Sequence, residues 1–332
     1  MRPLRLGLLG TGIVAEKHYL PAFRKLGRRI ELVACANRTR KKAERYARLA
    51  GVTRVVENAE ALFALGEIDA VLISLPIDVQ PSYVLAALRA GKAVLSEKPI
   101  GPSVAAARRL IASAKRCSAP WLVGENFAFM DHVARLETLV KNGVLGEVRV
   151  VQATQLSLMN AKNPYFHTGW RTAPKFVGGF VVDAGVHVAH VLRRCFGPAR
   201  VGAPLTAQFE AALPPLDTAV ATLSFESGAV GTWTSCFATP STGPLLRVYG
   251  SRGSADLYWG ELLVRSAAGR ERRYASKKDS FYAEFAHFAD VVQRGVTPAV
   301  LPESALLDLE LMQALVGRGK SREHLTRRRE RG

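Results

Sequence analysis

The chain has 332 residues, 48% apolar and 22% charged, which is long enough for two cores of ordinary size and too apolar for a disordered chain. Its formal net charge of +18 raises nucleic acid as a partner, because lysine and arginine that neutralise phosphates supply most non-specific affinity. The basic runs Arg38-Thr39-Arg40-Lys41-Lys42 and Arg327-Arg328-Arg329 lack the interleaved aromatics that stack bases, so they read as solvated faces and argue against a specific nucleic-acid site.

The chain opens with Arg2 and Arg5 ahead of an apolar stretch, Leu6 to Ala15, that imitates an export signal. Glycines at 7, 10 and 12 interrupt it, and no run reaches the roughly 20 apolar residues that cross a bilayer, so a soluble protein without a membrane partner is expected. Short apolar runs then alternate with helical patterns. Leu4 to Leu9, Ile30 to Ala36, Arg54 to Val56, Ala70 to Ser74, Ala93 to Ser96 and Trp121 to Val123 read as strands. Ile13 to Leu26, Arg40 to Ala50, Ala59 to Leu65, Val79 to Ala90 and Ser103 to Cys117 read as helices. This rhythm predicts an α/β fold whose N-terminal domain, residues 1–124, is a doubly wound parallel sheet of the Rossmann type.

After Asn126 the rhythm changes. A helix near His132 to Asn142 leads into a strand pattern, Glu147 to Leu158, then a polar and aromatic stretch, Met159 to Gly179, and a helix from about Val182 to Phe196. Alternating segments between Leu205 and Arg265, among them Thr218 to Phe225 and Ala229 to Cys236, are separated by Ser227-Gly228 and Thr242-Gly243-Pro244. Helices Ser280 to Arg294 and Pro302 to Val316 follow. Residues 125–332 therefore read as a C-terminal α+β domain on a large, mostly antiparallel sheet, which binds substrate. Helices cover one face of that sheet only, and the open face predicts a homodimer or homotetramer. The cysteines, Cys35, Cys117, Cys195 and Cys236, have no C-x-x-C spacing, which fits a reducing, cytoplasmic compartment.

Gly10-Thr11-Gly12-Ile13-Val14-Ala15 follows the first strand and opens a helix, the context in which G-x-G-x-x-G/A binds a dinucleotide. Gly10 makes the tight turn, Gly12 admits a pyrophosphate to the backbone, and Ala15 allows close helix packing. The second strand ends in Asn37 and Arg38, where an acid would repel a 2′-phosphate and an arginine can pair with it, so NADP is favoured and NAD possible. The fifth strand ends in Glu97-Lys98-Pro99, which sets Lys98 at the carboxyl edge of the sheet near the nicotinamide. Gly178 and Gly179 enter a helix that carries Asp183, His187 and His190 along one face. A carboxylate one turn from an imidazole can orient it as a general base. The same set as a metal site would need further ligands that the sequence does not offer, so no metal is expected, and His190 reads as structural.

Gly10-x-Gly12-x-x-Ala15, Glu97-Lys98-Pro99 and Asp183-x-x-x-His187 together resemble the family of glucose-fructose oxidoreductase, inositol 2-dehydrogenase and MocA-type proteins. The resemblance extends through Ala90-Gly91-Lys92, Trp170-Arg171-Thr172 and Gly250-Ser251-Arg252-Gly253-Ser254. It implies hydride transfer between a nicotinamide and a hydroxyl or keto carbon of a sugar, cyclitol or related polyol. Lys98 and His187 would be the catalytic pair, with Asp183 supporting His187. Gly10, Thr11, Gly12, Ile13, Asn37, Arg38, Leu75, Pro76, Glu97 and Lys98 would contact the cofactor. Lys98, Asn126, Trp170, Arg171, Asp183 and His187 would contact the substrate. Two positions depart from the family pattern: Leu75-Pro76-Ile77-Asp78-Val79-Gln80 replaces T-P-N-x-x-H, and Ala128 stands where an arginine is common. Alternatives are reduction of a nucleotide-linked keto-sugar or a non-sugar carbonyl, and a catalytically silent, cofactor-binding regulator.

Overall fold

The computed structural model describes residues 2–240, 243–277 and 279–317; the basic run at 327–329 lies outside them. Six parallel strands, β1 (Leu4–Leu9), β2 (Ile30–Ala36), β3 (Arg54–Val55), β4 (Ala70–Ile73), β5 (Ala93–Glu97) and β6 (Trp121–Gly124), form a sheet in the order β3-β2-β1-β4-β5-β6. The order reverses between β1 and β4, and the crevice at that switch point is where such sheets bind ligands. A π-helical turn, Ala15–Tyr19, runs into α1 (Leu20–Leu26), and α2 (Arg40–Ala50), α3 (Ala59–Phe63), α4 (Gln80–Arg89) and α5 (Val104–Ala114) make the other crossovers. Asn58 and Ser103 start α3 and α5 by accepting the amides of Ala61 and Ala106 at 2.8 and 3.3 Å.

The strands are apolar on both faces because both are covered. Leu4, Leu6 and Leu8 of β1, with Ala70 and Leu72 of β4, join one core, whereas Leu9, Val71 and Ile73 join the other.

Beyond β6 come α6 (Asp131–Lys141), β7 (Val148–Leu156), the single turn α7 (Gly169–Thr172) and α8 (Gly179–Phe196). Then follow β8 (Ala199–Ala207), β9 (Thr218–Phe225), β10 (Val230–Cys236), β11 (Leu246–Gly250), β12 (Gly253–Leu257), β13 (Glu261–Ser266) and β14 (Glu271–Ala275), and last α9 (Ser280–Arg294) and α10 (Pro302–Val316). The second sheet runs β14-β13-β12-β11-β7-β10-β9-β8 and is antiparallel except where β7 meets β10.

Two strands exceed the sequence expectation. β14 has a polar, largely exposed sequence at the sheet edge, so no apolar alternation announces it. β8 contains Gly202 and Pro204 and shifts register there, which only an edge strand tolerates. The helix predicted from Ile13 to Leu26 is present but widened by its π turn.

The two sheets are not independently enclosed. Phe285, Phe288 and Ala289 of α9 are buried with Leu4, Leu6, Tyr19 and Phe23, so the chain returns to close the first layer. Each such large side chain contributes about 1.5–3 kcal/mol of burial. Leu309, Met312 and Leu315 of α10 lie in the other core with Leu110 of α5 and Val188 of α8. No helix among the described residues is long and apolar enough to cross a membrane.

Candidate active site

The turn after β1 has the shape a dinucleotide needs. Gly10 has φ of +98°, and a Cβ there would stand 2.1 Å from the Ser74 carbonyl oxygen, so only glycine fits between β1 and β4. A Cβ on Gly12 would meet no atom within 4 Å; it would project into open space ahead of the helix that follows, where a pyrophosphate approaches the backbone. Thr11 donates its amide to Asn37 Oδ1 at 3.3 Å, and its hydroxyl is buried without a partner among the described residues. An orphaned hydroxyl beside an open cradle fits a polar ligand such as NAD(P). Ile13 opens the helix, Leu75 packs against Gly10 with Pro76 after it, and Arg38 is exposed just beyond Asn37.

Lys98 leaves the end of β5 through a cis Lys98–Pro99 bond. Gln80 of α4 donates to the carbonyls of Glu97 at 2.6 Å and Pro99 at 3.4 Å and so pins both sides of Lys98. The side chains of Glu97 and Lys98 make separate contacts. Glu97 accepts the Tyr19 hydroxyl, while Lys98 Nζ donates to the carbonyl and carboxylate oxygens of Asp183 at 2.8 and 3.0 Å.

α8 begins where Gly178 and Gly179 take positive φ, and a Cβ on Gly179 would stand 2.5 Å from the Pro214 carbonyl. Asp183 lies in the first turns, buried, with Oδ1 on Lys98 and Oδ2 on Arg171 Nε at 2.7 Å. Burial pushes its carboxyl upward, but the Lys98 and Arg171 charges outweigh that and hold it well below the usual carboxylate range. Arg171 lies over the rings of Trp170 at 3.9 Å and Tyr165 at 5.0 Å and also donates to Thr168.

The expected support of His187 by Asp183 is corrected here. One helical turn puts both residues on one side of α8, but two full cations occupy both carboxylate oxygens of Asp183. The partner of His187 is Glu125, at the exit of β6: Nδ1 and Oε1 are 2.6 Å apart. Glu125 Oε1 also accepts the Phe127 amide at 3.1 Å, and the Phe127 ring stacks on the imidazole at 4.5 Å and 12°. Burial drives the Glu125 carboxyl up, yet the adjacent His187 holds it below its ordinary value. His187 Nε2 has no hydrogen-bond partner among the described residues. His190 pairs instead with Asp308 at 3.0 Å, in the interior. Asn126 gives its amide nitrogen to Ser280 at 2.9 Å.

Sequence reasoning did not single out Gln80, Glu125, Tyr19 or His18. His18, in the π turn, stacks on Phe281 at 4.9 Å and faces the Tyr165 hydroxyl at 3.3 Å, which links the nucleotide turn to the segment that leads into α7 and Arg171. Departure from T-P-N-x-x-H was the available signal for Gln80. The other contacts join residues far apart in sequence and left no local trace. Among the described residues no group of three or more histidine, cysteine or acidic side chains could hold a metal.

Residues 4–125 match the oxidoreductase family with an NAD-binding Rossmann fold, and residues 133–256 match the GFO/IDH/MocA C-terminal domain. The dehydrogenase FPY6 of Fusarium mangiferae is 32% identical, with 94% of this chain and 95% of that protein covered. An oxidoreductase from Thermotoga maritima superposes with a TM-score of 0.89 at 29% identity, covering 95% and 96% of the two chains. KijD10, a 3-ketoreductase from Actinomadura kijaniata solved with NADP and TDP-benzene, has the same fold at a TM-score of 0.82 and 23% identity, covering 94% and 97%. Matched across both sheets and by a relative along nearly its whole length, the chain belongs to the Gfo/Idh/MocA family and is an NAD(P)-dependent oxidoreductase.

Proposed function

We propose that this oxidoreductase transfers hydride between NADP and a hydroxyl or keto carbon of a sugar, cyclitol or related polyol, with Lys98 and His187 handling the reacting oxygen and its proton. The observation that carries the reading is the bond from Lys98 to Asp183, one helical turn before His187, because it brings a cation and an imidazole to the carboxyl edge of the nucleotide-binding sheet. Bound nicotinamide supplies the redox step by accepting or returning hydride. Two of the three N–H bonds of Lys98 go to Asp183, which leaves one for the substrate oxygen. With Nδ1–H on Glu125, His187 keeps its Nε2 lone pair. In oxidation the substrate O–H bond breaks and its proton passes to Nε2; in reduction the same proton returns to oxygen. Asn126 has its amide oxygen available for a substrate hydroxyl, and Trp170 and Arg171 hold Asp183 in place.

The preference for NADP rests on Arg38 and on the absence of an acid at the end of β2, where Asn37 uses its side chain on Thr11 and Thr39. An assembly of two or four copies is supported by the open face of the second sheet, which exposes Val150, Val220, Val230 and Tyr249. The deciding experiment is turnover with NADPH and NADH across a panel of sugars, cyclitols and their keto forms. Activity confined to non-polyol carbonyls would overturn the substrate class, and absence of turnover with binding intact would favour a regulator.

A further inference from the structure

Behind the cleft lie three carboxyl groups from three elements. Glu97 ends β5, Glu125 follows β6, and Glu284 comes from α9. In the register of the sheet Glu97 pairs with Gly124, the residue before Glu125. The Glu284 carboxyl lies against that point from below: a Cβ on Gly124 would stand 3.6 Å from its Oε1. Glu125 and Glu284 are 2% and 4% exposed, so water screens neither. Glu284 Oε1 is buried with no hydrogen-bond partner among the described residues.

Charge around this group does not balance if all three are ionised. Lys98 and the Tyr19 hydroxyl face Glu97, and His187 and His190 face Glu125. Glu284 faces Glu97, Glu125 and Tyr19, with no cation among them, and the backbone amide of Glu125 is the group that favours its anion, outweighed by burial and the two carboxylates. A third charge in this space would cost more than keeping its proton, as in other sites where carboxylates crowd together. Glu125, by contrast, has an imidazole at 2.6 Å and an amide on the same oxygen, which favour its anion.

We propose that Glu125 is the positioning residue for His187 and that Glu284 backs it as a permanently protonated carboxyl, which adds no charge of its own behind the Glu125 carboxylate directed at the imidazole. The assignment deepens the mechanism above, since it accounts for which nitrogen of His187 carries hydrogen in the resting protein. Burial, followed by the charges of Glu97 and Glu125, lifts the Glu284 carboxyl well above the usual range, in line with this role. The neutral acid also explains how α9 can bring a third carboxyl group beneath the catalytic edge without expelling Glu125 from its bond.

Two spectroscopic readouts test this without a substrate, so they stand apart from any failure of the dehydrogenase reading. Infrared spectra of the whole protein near neutral pH should contain the carbonyl stretch of a buried protonated carboxylic acid, lost in Glu284→Gln and retained in Glu125→Gln. Nitrogen-15 NMR of the histidine rings should find His187 with hydrogen on Nδ1 in the wild type, with that preference lost in Glu125→Gln and kept in Asp183→Asn. Both glutamine variants keep side-chain size, and NADPH binding checks that they fold; if one does not, the wild-type spectra alone decide. Absence of the acid band, its survival in Glu284→Gln, or an Nε2-protonated His187 in the wild type would overturn the proposal.

Discussion

The ammonium of Lys98 stands 3.0 Å from a carboxylate oxygen of Asp183, 85 positions away in sequence, and so fastens the end of β5 to the first turns of α8. Arg171 holds the other oxygen, which makes Asp183 the anion between two cations that would otherwise face each other in the interior.

Asp183→Asn should therefore lose about 3–5 kcal/mol of stability at neutral pH, the usual cost of breaking a buried pair. Urea unfolding measures it. Because the folded carboxyl lies well below its ordinary range, its stabilisation is complete above the unfolded carboxyl's range and is lost as pH falls toward the folded one. Wild type and variant should converge in strong acid, and equal stability at pH 7 would show that the pair is dispensable.

His187→Ala should lower kcat by roughly a hundredfold or more, the scale of general acid–base catalysis. NADPH affinity should change little, since the histidine lies on α8 and not at the nucleotide turn. A histidine with only a structural task would instead give a lower Tm and near-normal kcat in the folded fraction, so both are measured on one preparation.

Arg38 is exposed beside the cofactor turn, and Arg38→Ala should weaken NADPH more than NADH in fluorescence titrations. Equal losses, or a wild type that prefers NADH, would remove the basis for an NADP enzyme.

Val230 is 55% exposed at the start of β10, on the open sheet face. A charge there should disfavour any apolar contact between copies, so Val230→Lys should shift light-scattering mass from dimer or tetramer toward monomer at micromolar concentration. An unchanged mass would place the interface elsewhere.

The strands and crossovers of the first sheet were legible because their apolar runs are punctuated by glycine and proline, as at Gly91 after α4. Lys98 was legible for the same reason: a strand end has a fixed place in a doubly wound sheet. The imidazole's partner was not. Helical spacing put Asp183 near His187, but only tertiary structure could reveal that Lys98 and Arg171 occupy Asp183 while Glu125, 62 residues before His187, reaches its ring. β14 was hidden by its polar composition and the π turn by a sequence that suits an ordinary helix. The return of α9 to the first layer was equally hidden, since an amphipathic pattern says which face is buried and not against what.

That return governs the order in which the chain can acquire its fold during synthesis. Leu4, Leu6 and Leu8 leave the ribosome long before the Phe285 and Phe288 that cover their side of the sheet. Until then the nascent nucleotide-binding half carries an unfinished apolar face. A fragment ending at residue 124 would keep it permanently, so the two halves cannot be exchanged as separate cassettes without carrying α9 along.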